Sequence, residues 1–200
     1  EVSKFGRISS KLFKMIPELM TETDNKKFNN LMSRIKKYED ITDRMEVEIA
    51  DYLAEAAKGE LSDTASKKVR SMLSIVNDME RIGDICYQMS ITIERKNEQK
   101  AYFTPELRTS LEEMIAEVLK ALEIMNKNLN SEYKQVSMAD ANGAEDIINK
   151  MRNKLRKEYL TKIEKGEVKI QTGMIYNNLI HSLEKVGDHV HNITEAITGN

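Results

Sequence analysis

Apolar residues recur along most of this chain at steps of three and four, the spacing that places side chains on one stripe of an α-helix. Val69, Met72, Val76, Met79 and Cys86 lie on one such stripe. The period-two alternation that is typical of half-buried strands is not sustained anywhere in the sequence. The pattern therefore predicts an all-α protein.

Capping residues and helix breakers divide this pattern into six segments. Asp24, Ser62 and Thr104 are side chains that can cap helix starts, and Gly59 and Gly166 can end helices. We expect an irregularity at the proline of the first segment and an interruption at the Asn-Gly pair of the fifth. The predicted helices cover approximately residues 4–20, 25–58, 63–96, 105–130, 132–165 and 172–198.

The six predicted helices form two sets of three, joined by a short linker at residues 97–103. The Glu-Asp-Ile of residues 39–41 recurs at residues 145–147, an offset of 106. The acid-base-aliphatic-glycine-acid pattern of residues 80–84 recurs at residues 184–188, an offset of 104. Because such self-similarity indicates a duplicated module, we predict two tandem antiparallel three-helix bundles, residues 1–98 and 99–200.

Composition supports long helices and narrows the possible functions. Charged residues make up 32% of the chain and hydrophobic residues 40%, with only 8 glycines and 2 prolines. The net charge of -2 argues against a nucleic acid partner, because acids balance bases along the chain. The single cysteine, Cys86, is expected in the core. The longest uncharged run, residues 170–183, is too short and too polar to span a bilayer.

Paired carboxylates are the strongest chemical signal in the first half. Glu80 and Asp84 are four residues apart on the third predicted helix, and Glu39 and Asp43 show the same spacing on the second. If these helices pack antiparallel, the four carboxylates converge, and a hard cation would neutralise them by accepting their oxygens as ligands. Gly83, a costly residue inside a helix, indicates a close approach of backbone, ligand or metal at this point.

The corresponding acids of the second half are less complete. Glu184 and Asp188 match the first-half pair, and Glu145 matches one acid of the partner helix. Asn149 stands where the first half has an aspartate, although Asp146 could contribute from an adjacent face. We therefore expect the first cluster to bind cations more strongly than the second.

Two other interpretations of the acids stay open. The carboxylates could be solvated and paired with neighbouring bases such as Arg81 and Lys185, as charge runs usually are. Alternatively, Asp188 and His191 could be part of a di-iron centre, but a ferritin-like centre requires two such acid-histidine pairs and the sequence has one. Serine, cysteine and histidine show no catalytic spacing, and no glycine-rich phosphate loop occurs.

Three of these segments also carry a family resemblance. Residues 78–84 (DMERIGD) resemble the signature helix of the PhoU family of bacterial phosphate-uptake regulators, and residues 182–193 (SLEKVGDHVHNI) resemble its second copy. Residues 39–43 (EDITD) resemble the partner acidic motif on the preceding helix. The resemblance covers essentially the whole chain as two three-helix units in tandem.

The resemblance implies a regulatory role rather than an enzymatic one, with multinuclear metal sites that hold iron or another divalent or trivalent ion. It implies one site at Glu39, Asp43, Glu80 and Asp84, and another at Glu145, Glu184 and Asp188. It implies no catalytic residues.

PhoU-like units occur both as separate proteins and as the cytoplasmic tails of sodium-dependent phosphate cotransporters. Residues 5–15 (FGRISSKLFKM) are similar to the junction that follows the membrane part of such a transporter. The resemblance therefore implies a tail at the cytoplasmic face of the inner membrane, with the transmembrane part of the same chain as its partner. The sequence leaves the oligomeric state open, although an exposed acidic face and long helices allow a homodimer. The alternatives are a separate PhoU-like regulator and a metal-free helical interaction scaffold.

Overall fold

The computed structural model describes residues 1–59, 61–132 and 135–199, and six α-helices account for most of them. In chain order, the helices are α1 Val2–Thr21, α2 Asn25–Ala56, α3 Asp63–Glu98, α4 Pro105–Leu129, α5 Met138–Glu164 and α6 Ile170–Thr198. No strand occurs in these ranges. The predicted all-α class is confirmed.

The sequence located the helix starts well where a capping residue is present. Asp24, Ser62 and Thr104 each accept a hydrogen bond from the backbone N–H three residues later, which satisfies one of the unpaired donors of a helix N-terminus. The first helix continues through Pro17 to Thr21.

The fifth helix differs from its prediction at two points. It begins at Met138 with Ser137 as its cap, later than the expected start at residue 132, and residues 133–134 lie outside the described part of the chain. It also runs unbroken through Gly143. A glycine inside a helix costs only about 1 kcal/mol relative to alanine, so the packing of a 27-residue helix outweighs it.

Within each half, the last two helices pack antiparallel. Thr42 of α2 lies against Gly83 of α3. In the second half, Ile148 of α5 lies against Gly187 of α6, and Tyr159 near the end of α5 donates a hydrogen bond to an asparagine near the start of α6. These contacts place the predicted acidic motifs of paired helices side by side.

The two halves join through equivalent helices, which also run antiparallel. Asp78 of α3 contacts His189 of α6 at 2.8 Å, and Gln99 after α3 accepts a hydrogen bond from Gln171 at the start of α6. The α1 and α4 helices join in the same sense, with hydrogen bonds from Ser3 to the Leu129 carbonyl and from the Asn126 amide to Ser10. The antiparallel pairing of equivalent helices relates the halves as a two-fold axis would.

One continuous hydrophobic core links the two halves. Buried side chains from all six helices belong to it, and Cys86 is fully buried there, as predicted. The Tyr176 ring packs edge-on against Phe103 and Tyr159, with ring centroids 5.3 and 5.9 Å away. The division at residues 98 and 99 stays a prediction, since the core crosses it. In the described ranges, no helix has both the length and the apolar character needed to cross a membrane.

Candidate metal centre and its counterpart

The first acid cluster forms where α2 and α3 face each other. Glu39 and Asp43 project from α2, and Asp84 projects from α3. One carboxylate oxygen from each of the three lies within 4.8 Å of the other two. Glu80, one turn before Asp84, is within hydrogen-bonding reach of the Asp84 carboxyl. The structure therefore brings together all four acids that the sequence predicted for this half.

Glycine at position 83 allows the close approach of the two helices. A Cβ atom there would lie 2.5 Å from Oγ1 of Thr42, closer than van der Waals contact allows. In the second half, a Cβ at Gly187 would lie 3.0 Å from Cδ1 of Ile148. The close approach that the sequence indicated is thus between two helices, and its effect on the site is to bring the acidic faces together.

The electrostatics of the first cluster favour a bound cation or proton. Burial, followed by the charge of Asp84, raises the pKa of Asp43. Burial and the hydrogen bond and charge of Asp84 raise the pKa of Glu80 to about 7. One oxygen of Asp43, Oδ1, is buried without a hydrogen-bond partner. A buried carboxylate oxygen with no donor is costly, and a metal ion or proton would satisfy it.

Two basic side chains border this cluster. The Nζ atom of Lys36 lies 2.5 Å from Glu39 and 3.1 Å from Asp40, above the Tyr87 ring. The Arg81 guanidinium lies 3.7 Å from the carboxylate of Glu80 and 3.6 Å from that of Asp84. Pairing of the acids with neighbouring bases therefore occurs, as the solvated-face interpretation expects. Both basic side chains are about half-exposed.

The second cluster has three of the four equivalent acids and contains its own positive partners. Arg152 of α5 lies 3.1 Å from Glu184, and His181 lies 3.2 Å from the other oxygen of the same carboxylate. His191 lies 3.3 Å from Glu145. Burial and the charges of Glu184 and Glu145 raise the pKa of Asp188, so these three predicted acids do lie near one another.

Asp146, the additional acid predicted for the second cluster, and the nearby His189 have different roles. Asp146 is exposed and pairs with Lys150 at 3.5 Å. His189 contacts Asp78 at the junction of the two halves. The ligand atoms of Glu39, Asp43 and Asp84 lie within 4.8 Å of one another. In the described part of the chain, no other group of three acidic, histidine or cysteine side chains has ligand atoms this close together.

The sequence reasoning missed one residue pair that distinguishes the two clusters. When α2 and α5 are aligned with the offset of 106, Glu46 and Arg152 occupy equivalent positions. The contacts agree with this alignment: Glu46 is close enough to Glu80 to raise its pKa, while Arg152 contacts Glu184, the counterpart of Glu80. Extending the repeat alignment beyond the acidic motif would have revealed the difference.

Three comparisons with known proteins place the chain in a family. The sequence profile of the PhoU domain matches residues 2–93 and again residues 105–197. A curated relative, the phosphate-specific transport system accessory protein PhoU homolog 1 of Thermotoga maritima, is 28% identical over 135 residues. That alignment covers 66% of this chain and 56% of the relative, so it spans little more than half of the relative's length.

Solved structures agree at the level of the fold. PhoU from Pseudomonas aeruginosa superposes with a TM-score of 0.82 at 17% identity, covering 98% of this chain and 91% of that one. The phosphate transport system regulatory protein PhoU from Streptococcus pneumoniae gives a TM-score of 0.78 at 19% identity, with 98% and 89% covered. Because the family profile matches both halves over nearly their whole length, the chain belongs to the PhoU domain family.

Proposed function

We propose that this chain is a regulatory protein of phosphate transport and that its first acid cluster binds a metal ion. The double match to the PhoU domain supports the regulatory role, and so does the curated relative, which is named as an accessory protein of a phosphate-specific transport system. The convergence of Glu39, Asp43 and Asp84 supports the metal site.

The residues of the first cluster fit a hard cation. All of its candidate ligands are carboxylates, the donors preferred by magnesium, manganese and similar ions, and iron is the metal that the family resemblance implies. The unpartnered Oδ1 of Asp43 is the observation that carries the proposal, because it is a buried oxygen that an added cation would satisfy. Glu39, Asp43, Glu80 and Asp84 would hold the ion, which would supply positive charge between α2 and α3.

Metal content tests this site directly. The protein, purified without chelator and then exposed to iron or manganese, is expected to retain about one equivalent or more after gel filtration. Asp43→Asn combined with Asp84→Asn should lower that content sharply, because the substitutions remove two charged ligands at nearly constant volume. The matched control is Asp51→Asn with Asp140→Asn, which neutralises two exposed acids outside the cluster, one on α2 and one on α5. Equal metal in all three proteins, or none in any, would contradict the metal site and favour the metal-free scaffold.

The proposed partner is a membrane protein of a phosphate transport system. In a cotransporter, the tail and the membrane part belong to the same polypeptide. An accessory protein would instead bind the membrane protein as a separate chain. The name of the curated relative favours the accessory protein, and nothing in the comparisons points to a sodium-dependent cotransporter. We therefore prefer the separate regulator, acting at the cytoplasmic side of the membrane.

Phosphate uptake in the native host tests the regulatory role. Deletion of the gene is expected to change the rate of radiolabelled phosphate uptake, and the wild-type gene supplied in trans should restore it. The variant with Asp43→Asn and Asp84→Asn should restore uptake control less completely than the Asp51→Asn and Asp140→Asn control. Unchanged uptake after deletion would overturn the assignment to phosphate transport.

A further inference from the structure

The two acid clusters are equivalent by sequence and by position, yet they are neutralised in different ways. In the first, Glu46 adds a further negative charge near Glu80. In the second, Arg152 occupies the equivalent position on α5 and contacts Glu184 at 3.1 Å. One residue position thus changes from acid to base between the two halves.

The Arg152 side chain is partly buried in the second cluster, with 30% of its surface exposed. Its Nε atom is buried and has no hydrogen-bond partner, while its Nη2 atom contacts the almost fully buried Glu184. A guanidinium always carries its charge and offers several donors, so it is well suited to neutralise a buried carboxylate. In the first cluster, by contrast, the bases are about half-exposed and approach from the edge.

One further difference lowers the negative charge of the second cluster and so its demand for an added cation. Asn149 replaces the aspartate at the equivalent position, which removes one negative charge. Glu145 contacts His191 of α6, whereas its counterpart Glu39 contacts Lys36 of its own helix, so this pair of acids does not distinguish the two clusters. The residues of this cluster therefore do not fit a metal site as those of the first cluster do.

From this asymmetry we propose that Arg152 is the resident cation of the second acid cluster and that only the first half of this protein takes up metal. The proposal deepens the proposed function, since it restricts metal binding to one half. Its two parts can be separated: the state of the second cluster depends on Arg152 whether or not the first cluster binds an ion.

Manganese binding tests the proposal in a protein whose first cluster is disabled. The variant with Asp43→Asn and Asp84→Asn is expected to retain no manganese above background after gel filtration. Adding Arg152→Glu to it gives the second half the acid found at position 46, and the bound manganese should rise at least tenfold. Adding Arg152→Lys instead keeps the positive charge and should leave the content at background.

Two results would overturn the proposal. One is manganese retained by the disabled variant and lost when Asp188→Asn is added, which would mean that the second cluster binds metal beside Arg152. The other is a folded Arg152→Glu variant with no gain. If the wild-type protein binds no metal but Arg152→Glu gains it, metal uptake by the first half is overturned together with the proposed metal site, and the role of Arg152 as the resident cation of the second cluster is supported.

A stability measurement covers the case in which Arg152→Glu does not fold. Arg152→Gln and Glu184→Gln should each lower the melting temperature, and the double variant should lose clearly less than the sum of the two single losses, because both remove the same ion pair. Additive losses would show that the pair is not formed in solution and would overturn the role of Arg152.

Discussion

The Glu80 side chain shows how a single residue couples the first cluster to pH. Its acidic neighbours are Asp84 of α3 and Glu46 of α2, and the half-exposed Arg81 also contacts it. Burial and the adjacent carboxyl raise its pKa from 4.5 to about 7, so the folded protein binds this proton more tightly than the unfolded chain does. The proton and a metal ion compete for the same oxygens.

We predict that the metal-free protein loses stability as the pH rises from about 4.5 to about 7. The contribution of protonated Glu80 is fully present below its unfolded pKa of 4.5 and is lost as the pH passes the folded value. Urea denaturation of chelator-treated protein at pH 5.5 and 8 measures this change.

Glu80→Gln is the matched control, because the amide does not titrate. The difference in unfolding free energy between the two pH values should be smaller in this variant than in the wild type. Identical pH dependence in both proteins would contradict the role of Glu80. Manganese added at pH 8 should raise the stability of the wild-type protein but have less effect on the variant.

The acids of the first cluster could be predicted from sequence because helical periodicity alone fixes their shared face. Glu39 and Asp43 are four residues apart, as are Glu80 and Asp84, so helix formation is sufficient to align each pair. Their basic neighbours could not be predicted in the same way. The positions of Lys36 above the Tyr87 ring and of Arg152 beside Glu184 depend on helix register and on side-chain rotamers.

At the scale of the elements, one glycine inside a helix is closely packed against a neighbouring helix and another has open space beside it. Gly83 of α3 lies against Thr42 of α2, whereas a Cβ atom added to Gly143 of α5 would meet nothing within 4 Å. From sequence, both were possible sites of special geometry. Of the two, only Gly83 lies in close contact with another helix. The sequence does not show this, because it depends on which residue of the neighbouring helix lies next to the glycine.

We predict that Gly83→Ala destabilises the protein by about 1–3 kcal/mol, because the added methyl group would overlap Thr42 and force α2 and α3 apart. Gly143→Ala is the matched control and should stabilise the protein by up to about 1 kcal/mol through better helix propensity. Urea denaturation of the two variants measures both effects. A Gly83→Ala protein at least as stable as the wild type would show that α2 and α3 are not in close contact.

Helix ends were predicted best where local chemistry decides them. Thr104 followed by Pro105 fixed the start of α4 in the sequence and in the structure alike. The start of α5 at Met138 lacked such a signal, because Ser137 is one of several polar residues in that connection. In the structure, the Ala139 N–H donates a hydrogen bond to Oγ of Ser137, which identifies this serine as the cap.

At the scale of the whole molecule, one core crosses the boundary between the halves. Met79 of α3 and Leu183 of α6 are both fully buried and belong to the same cluster. We predict that the protein unfolds in a single cooperative transition and that Met79→Ala and Leu183→Ala both lower its midpoint, each by an amount that corresponds to about 2–5 kcal/mol. Thermal denaturation followed by circular dichroism measures this.

Two separate transitions, each shifted by only one of these variants, would contradict a shared core and would favour independent folding of residues 1–98 and 99–200. An exposed substitution in each half, Asp51→Asn and Asp140→Asn, serves as the control and should leave the midpoint nearly unchanged.

The antiparallel pairing of α3 with α6 and of α1 with α4 has a genetic consequence. A homodimer of a single three-helix unit would have a similar two-fold arrangement, but each mutation would appear in both copies at once. Here the two halves are encoded by separate stretches of one gene, so position 46 can be a glutamate while the equivalent position 152 is an arginine. Fusion of the halves is what allows one to specialise without altering the other.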